Sequence, residues 1–394
     1  MRPDRSVLKG GRRLIKTLSR VLYEVVEHHV SVDVAFKRAC RSACADSLEE
    51  REELYRLARK LVSDYIKLTC VVGRKKPYGA LVRVWLKGIH NLLEEMPPWC
   101  RLSYPEWYYR KLTELLGREE AEKVMRAMED RVWWLRINTL RGSVEYVLRE
   151  LEREGVEFEV DKHFHYLVRI VRSPKPVRLL QPVKEFKAVP QDKASVAVVE
   201  ALNPSEDDLI VDMASAPGLK TSLIMALTEN KAKVVAADIS WRRMLNEVAL
   251  LKKLGVDLSR VYLTLTDSSS LNLRARADKV LLDAPCSNSG AVSKDPGVKV
   301  HLTQSKIRYY AGIQRALLRK AIELGELVTY STCSIMPEEG ELVTASVRNV
   351  VRFRRVFSWA SPGYGIVDFS NEVMRFFPHK HATEAFYLAV LEVR

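Results

Sequence analysis

Apolar residues in the first quarter of the chain recur every three or four positions. Leu22, Val25, Val26 and His29 fall on one face, and Leu54, Leu57, Leu61, Tyr65 and Leu68 on another. Few strand-like runs intervene between Ser19 and Leu93, so the spacing predicts a helical bundle. Pro97, Pro98 and Pro105 break the pattern and predict a boundary. Beyond them the period changes. Val132 to Asn138 reads as a strand, Ser143 to Glu154 as a helix, and Glu157 to Val160 and Tyr166 to Val171 as further strands. Pro174, Pro176 and Pro182 punctuate a linker. A helix then opens at Gln191-Asp192-Lys193-Ala194-Ser195, and buried strands alternate with helices to the end. That alternation predicts a parallel sheet covered by helices. The expected organisation is an all-α domain over residues 1–98, a small α+β module over 99–185, and an α/β domain with a Rossmann-like sheet over 186–394.

The strands of the last region end in small or acidic residues. Asp208 to Met213 runs into Ala214-Ser215-Ala216-Pro217-Gly218-Leu219-Lys220-Thr221 and then a helix. Lys233 to Ala237 ends at Asp238, 20 residues after Gly218. Val261 to Leu265 is followed by Asp267, and a fourth strand ends at Asp283. One such acid is usually a cap. Four in order suit a cofactor crevice, because ligands of open α/β sheets bind outside the carboxyl ends of the strands. The turn has neither the Gly-x-Gly-x-x-Gly of dinucleotide enzymes nor a phosphate loop. S-adenosylmethionine, which carries no phosphate, is therefore the expected cofactor. Its expected contacts are Ala214, Ser215, Ala216, Pro217, Gly218, Leu219 and Lys220 in the turn, Asp238 toward the ribose hydroxyls, Arg243 on the next helix, Asp267 toward the adenine amino group, and Asp283.

Two further phrases each place a cysteine just after a buried strand: Leu281-Leu282-Asp283-Ala284-Pro285-Cys286-Ser287-Asn288-Ser289-Gly290 and Val328-Thr329-Tyr330-Ser331-Thr332-Cys333-Ser334. The chain has only six cysteines, so two at equivalent strand ends suggest covalent chemistry, one thiol attacking and one assisting. The bland alternative is a pair of small buried hydrophobes. Cys40, Cys44, Cys70 and Cys100 show no disulfide framework and are expected to be packing residues. No histidine or third cysteine completes a set near them, and no metal is expected.

A formal net charge of +14 and a pI near 9.4 favour a polyanionic partner. Residues 1–20 hold seven basic side chains against Asp4 alone. Arg74, Lys75, Lys76, Arg83 and Lys87 follow one another between Val71 and His90 with no acid among them, and Tyr78 and Trp85 are interleaved. Basic groups with aromatics suit an RNA backbone and its bases, although a solvated face gives the same pattern. No apolar run approaches the ~18 residues of a membrane span, and no apolar signal core follows the basic start. A cytosolic, monomeric chain with no membrane partner is expected. Only four glutamines occur, a usage that resembles thermophile proteins.

These phrases together resemble the Nop2/Sun family of RNA cytosine-5 methyltransferases. Arg136-Ile137-Asn138-Thr139-Leu140 is similar to its N-terminal signature, and Gln191-Asp192 with Ser195 to the motif before its first strand. The two cysteine motifs, followed by Pro337-Glu338-Glu339, carry the greatest specificity. The resemblance covers roughly Arg136 to Leu391. Asp33-Val34-Ala35-Phe36 and Leu48-Glu49-Glu50-Arg51 resemble the NusB-like domain of some members. Leu219 departs from a family glycine, Leu250 from a frequent asparagine, and Ala214 from a cysteine; Glu384-Ala385-Phe386-Tyr387 follows the family's C-terminal Gly-Phe-Phe only loosely.

The resemblance implies that Cys333 attacks carbon 6 of cytosine and that Cys286 assists product release. Asp283 is placed to bond the base and stabilise the adduct. Lys220 is expected to lower a thiol pKa. The target base must leave its stack, and the partner implied is ribosomal or transfer RNA, held by the middle module and the basic helical region. A DNA cytosine methyltransferase would keep its nucleophile in a Pro-Cys motif. An amino-group methyltransferase would show an Asn-Pro-Pro-Tyr-like segment at 283–286. An RNA-binding assembly factor with a vestigial cofactor site is the alternative from a different class.

Overall fold

The computed structural model describes residues 11–40, 44–73, 77–89 and 94–394. Residues 1–10 of the basic leader, and Arg74, Lys75, Lys76 and His90 of the basic stretch, lie outside the described residues. The chain forms two compact units, one of residues 1–131 with 291–304, the other of residues 132–290 with 305–394.

The first unit is helical. Its elements are α1 (Gly11–His28), α2 (Val32–Ala39), α3 (Leu48–Ser63), α4 (Tyr65–Val72), α5 (Tyr78–Lys87), α6 (Pro98–Leu102), α7 (Glu106–Leu116) and α8 (Arg118–Ala127). Local chemistry sets the starts. Ser47 caps α3 by accepting from the Glu50 amide at 3.0 Å, and the Glu50 carboxylate accepts in turn from the Asp46 amide at 2.6 Å. Leu18, Val21, Leu22 and Val25 of α1 meet Leu54, Leu57, Leu61 and Leu68 in one core. Of the face expected on α1, Val26 is only half-buried and His29, past the helix end, is exposed. Pro97 and Pro105 stand as N-caps and Pro98 in a first turn. These prolines start helices, where a missing N–H costs nothing. The compact unit runs on to Arg131.

The expectation of four unpaired packing cysteines in this region is overturned. Cys70 is disulfide-bonded to Cys100, and Cys40 to Cys44. Cys70 and Cys100 are 30 residues apart, and only the folding of α4 beside α6 brings their Cα atoms to 6.2 Å. No spacing rule reveals that proximity.

The second unit opens with an antiparallel sheet of β1 (Trp133–Ile137), β2 (Glu157–Val160), β3 (Leu167–Arg172) and β4 (Ala188–Pro190) in the order β2-β3-β1-β4. It carries α9 (Val144–Arg153) and the short α10 (Gln181–Lys184). An alternating run follows: α11 (Lys193–Leu202), β5 (Leu209–Asp212), α12 (Leu219–Leu227), β6 (Lys233–Asp238), α13 (Trp241–Lys253), β7 (Val261–Leu265) and β8 (Ala277–Asp283). Residues 291–304, with α14 (Gly297–His301), then belong to the helical unit. The chain returns through α15 (Gln304–Leu324), β9 (Gly325–Thr332), α16 (Glu341–Thr344), β10 (Val351–Arg354), β11 (Met374–Phe376), α17 (Pro378–His381) and β12 (Phe386–Val393).

The large sheet runs β10-β12-β9-β8-β5-β6-β7, with β11 on β12. Strands β5 to β9 are parallel, and β12 joins β9 antiparallel. Both faces are buried, as a parallel sheet requires. Ile210 and Leu281 point into one core with α11, while Val211, Val280 and Leu282 point into another with Ala311, Leu317 and Leu318 of α15. The order reverses between β5 and β8, so the crevice for a ligand falls at their carboxyl ends. Among the described residues, no helix is long and apolar enough to cross a membrane.

Candidate active site

The two thiols meet because their strands are neighbours in register. Leu281 pairs with Thr329 and Asp283 with Ser331, so both loops leave the same edge of the sheet. The Ala284 amide donates to the Ser331 carbonyl at 2.9 Å, and the Gly290 amide to the Cys333 carbonyl at 3.0 Å. Cys286 is buried, Cys333 is partly open, and their sulfurs lie 3.2 Å apart. Position 290 needs glycine, because a Cβ there would stand 2.2 Å from the Ala385 carbonyl oxygen.

Asn288 bridges the pair. Its Oδ1 lies 2.9 Å from the Cys333 sulfur and 3.8 Å from that of Cys286. The residue sits in the left-handed region (φ 57°), which asparagine tolerates. The Cys286 contact, then burial, then the charges of Asp283 and Glu384 push the Cys333 thiol well above its usual range.

Behind the loops stands a fully buried carboxylate, Glu339. It accepts from the Ser287 amide at 2.8 Å, the Ser287 hydroxyl, the Ser334 hydroxyl at 2.6 Å and Gln314 Nε2 at 3.1 Å. Ser287 follows Cys286 and Ser334 follows Cys333, so one side chain ties both cysteine loops together. Its carbonyl oxygen accepts from Tyr330 at 2.8 Å and Thr332 at 3.3 Å. Buried Arg375 pairs with Glu341 at 2.5 Å and donates to the carbonyls of Ser334 and Ile335.

Asp283 faces the same corner. One carboxylate oxygen accepts from Lys220 at 2.5 Å and the other from Ser331 at 2.8 Å. The Lys220 ammonium pairs with Asp283, and it also interacts with the Cys333 charge, but the influences that raise the Cys333 thiol outweigh this. Burial works against the Lys220 charge, but Asp283 outweighs it, and the net shift is upward.

The turn Ala214–Leu219 occupies the switch point. Gly218 has φ 95°, and a Cβ there would meet Glu247 at 3.0 Å and Leu251 at 3.2 Å. Leu219 begins α12 and packs partly buried against the core. The Ser215 hydroxyl donates to Glu247 Oε2 at 2.8 Å, whereas the buried Oε1 has no partner among the described residues. Arg243 donates to the Ala216 carbonyl and lies 3.2 Å from Asp238. Asp212 accepts from Thr221 at 2.8 Å, and burial raises it to about 6. Glu247 is raised to about 7, first by burial and then by the Asp212 charge. Asp238 accepts from the Ser240 amide at 2.9 Å, and the exposed Asp267 from Ser269. With Lys220 paired to Asp283, the charged groups named here along the sheet edge are mainly acids. This donor set suits a ligand with hydroxyls and an ammonium group, as S-adenosylmethionine has.

The structure thus brings Cys333, Cys286, Asp283 and Lys220 into one corner, with the turn and Asp238, Arg243 and Asp267 along the same sheet edge. Sequence reasoning gave no role to Asn288, Ser331, Gln314, Glu247 or Arg375. It quoted Glu339 only as part of a motif. Asn288 carried a usable signal, since it lies inside the first cysteine phrase. The others act across 25 to 52 residues of sequence.

A family model described as 16S rRNA methyltransferase RsmB/F matches residues 199–392, and one described as the ferredoxin-like domain of RsmF/B-like methyltransferases matches residues 104–178. The chain belongs to the RsmB/F methyltransferase family. A tRNA (cytosine(72)-C(5))-methyltransferase of Pyrococcus horikoshii is 29% identical over 390 residues, covering 74% of this chain and 98% of that protein. A mouse 28S rRNA (cytosine-C(5))-methyltransferase is 30% identical over 306 residues, covering 73% of this chain but only 38% of its own length. Among solved structures, NSun6 from Pyrococcus horikoshii with SFG, an S-adenosylmethionine analogue, matches with a TM-score of 0.67 at 26% identity, covering 73% of this chain and 98% of that chain. The RsmB/F membership agrees with the resemblance carried by the two cysteine motifs.

Proposed function

We propose that this RsmB/F member methylates carbon 5 of cytosine in RNA, with S-adenosylmethionine as donor and Cys333 as nucleophile. The observation that carries the reading is the pair of thiols 3.2 Å apart, beside a carboxylate that is itself held by a lysine. Carbon 5 of cytosine is too weak a nucleophile to be methylated unaided. The Cys333 sulfur adds to carbon 6, forming an S–C bond, while the thiol proton passes to ring nitrogen 3 and the ring electrons move toward carbon 5. When bound, the donor supplies an electrophilic methyl group, which carbon 5 takes. Loss of the carbon 5 proton then re-forms the ring double bond and expels the Cys333 sulfur.

Each side chain has a task in this scheme. Asp283 accepts hydrogen bonds from the N–H groups of the base, including the one ring nitrogen 3 gains in the adduct, and Lys220 and Ser331 orient Asp283. Cys286, in contact with the leaving sulfur, assists the elimination. Asp238 and Asp267 hold the hydroxyl and amino groups of the donor, and the turn Ala214–Leu219 lies against its methionine part. The excess of basic residues supports a polyanionic substrate, and the names of the relatives support ribosomal or transfer RNA.

One experiment tests the reading. Wild type, Cys333→Ser and Cys286→Ala are incubated with labelled donor and total RNA. Cys333→Ser is expected to lose transfer by on the order of 10⁴-fold or more. Cys286→Ala is expected to accumulate a protein–RNA adduct that survives denaturing electrophoresis. Label transfer by Cys333→Ser would reject the nucleophile assignment.

A further inference from the structure

Helix α15 carries a face that its own fold does not use. Arg308, Gly312, Arg315 and Arg319 recur at intervals of four, three and four residues, which aligns them in one stripe. Arg308, Gly312 and Arg319 are exposed, and Arg315 is half-exposed. None of the three guanidinium groups makes an ion pair among the described residues. The helix has one acid, Glu323, and it is paired with Lys320.

Gly312 is the unexpected member. Glycine is the poorest interior helix former after proline. Here a Cβ would meet nothing within 4 Å, and the backbone is ordinary right-handed helix. Neither packing nor conformation calls for glycine. The remaining use of a missing side chain is close approach by another molecule.

The stripe is tethered to the chemistry. Gln314, on the buried side of α15, donates to the carbonyl of Pro285, next to Cys286, at 2.9 Å. Tyr310 is half-buried on the same helix. Its neighbour Tyr309 is 66% exposed, with its ring edge-on to Tyr310 at 5.5 Å. An exposed aromatic beside unpaired arginines is the combination that binds single strands: cations track the phosphates, and a ring stacks on a base.

We propose that the Arg308–Gly312–Arg315–Arg319 face of α15 is the track for the sugar-phosphate backbone of single-stranded RNA entering the thiol corner, with Tyr309 stacking on a base beside the target. The proposal rests on the RNA reading above and adds where the strand runs. The stripe spans about 16 Å at the rise of an α-helix, and Gly312 lets the strand approach the helix at its middle.

The test uses the full chain and a fluorescein-labelled, cytosine-containing single-stranded RNA oligonucleotide, titrated across salt concentrations. Each phosphate contact on a single strand contributes about 0.7 to the slope of log affinity against log salt. The triple variant R308Q/R315Q/R319Q is expected to lower that slope by about two. Tyr309→Ala is expected to weaken binding about tenfold, with little change in slope. Gly312→Ala is expected to raise the melting midpoint and leave RNA affinity within about twofold, whereas Gly312→Gln weakens RNA binding about tenfold on a fold that melts normally. Calorimetric affinity for S-adenosylhomocysteine is expected to be the same in all four variants. Wild-type affinity and salt slope in the triple variant would overturn the proposal while the RNA reading stands. A wild type that neither binds nor methylates RNA would overturn both. Loss of polyglutamate binding by the triple variant, with RNA binding intact, would assign the face to an acidic protein and overturn the proposal.

Discussion

Around the thiols, the buried Glu339 carboxylate collects four donors; around the donor turn, the buried Glu247 carboxylate collects one and leaves its second oxygen without a partner. Both groups stand behind loops at the same edge of one sheet. Hydrogen bonds can replace the water that a buried carboxylate gives up, and at Glu339 they are numerous. At Glu247 they are few and another acid, Asp212, is near, so the proton is held up to about pH 7. On the proposed function, the corner that aims the nucleophile is fixed by a web whose members lie on three segments of chain, and the turn that takes in and releases the donor rests on a group whose charge changes near neutrality.

Breaking the web gives the largest expected effect. Glu339→Ala removes the acceptor for four donors, and buried donors left without partners cost about 1–3 kcal/mol each before relaxation. Urea unfolding is expected to show a loss on the order of 3–5 kcal/mol, with the rate of methyl transfer falling more than RNA affinity. A loss below about 1 kcal/mol would mean that the two cysteine loops hold their places without it.

An intermediate effect is expected at the donor turn, with a definite sign. Asp212 and Glu247 titrate near 6 and 7 in the folded protein, against ordinary values of 3.8 and 4.5. Raised acids favour the folded state fully below their unfolded values and lose that contribution as pH rises through the folded ones. The wild type is therefore expected to lose stability between about pH 4 and 7 relative to Glu247→Gln, by on the order of 1–3 kcal/mol. Matching pH profiles of unfolding for the two proteins would show that Glu247 is not protonated at its site.

The smallest effect sharpens the thiol side. Asn288→Gly keeps the left-handed backbone at no steric cost and removes the carboxamide beside Cys333. Stability is expected to change by less than about 0.5 kcal/mol, while alkylation of Cys333 by iodoacetamide changes its pH profile. The wild-type profile is expected to rise only on the alkaline side, because the thiol is pushed up. Identical profiles in both proteins would remove Asn288 from the control of the nucleophile.

Much of the sheet was legible because its period is strong. The expected strands at 208–213, 233–237 and 261–265 fall on β5, β6 and β7, and Asp238 and Asp283 are the last residues of β6 and β8. Cys286 and Cys333 were found by the same route, since a cysteine one or three residues past a buried strand is placed by the strand. Glu339 and Gln314 were not, because a hydrogen bond across a fold leaves no periodic trace. Glu247 lies on the amphipathic helix α13 like many acids, and the close approach of Gly218 against it leaves no sequence signal. The Cys70–Cys100 bond escaped for the same reason. Prolines 97, 98 and 105 stand at the starts of α6 and α7, because proline both ends one element and begins the next.

The excursion of residues 291–304 into the helical unit has a bearing on synthesis and dissection. Lys299, carried there, donates to Glu129 at 2.5 Å and Ser63 at 3.2 Å, and its ammonium lies over the Tyr104 ring. When Arg131 has left the ribosome, Glu129 still lacks its cation, and the helical unit cannot be completed until most of the sheet unit has been translated. A truncation after Arg131 would yield an unfinished bundle, and no single scissor point between residues 1 and 394 yields two whole bodies.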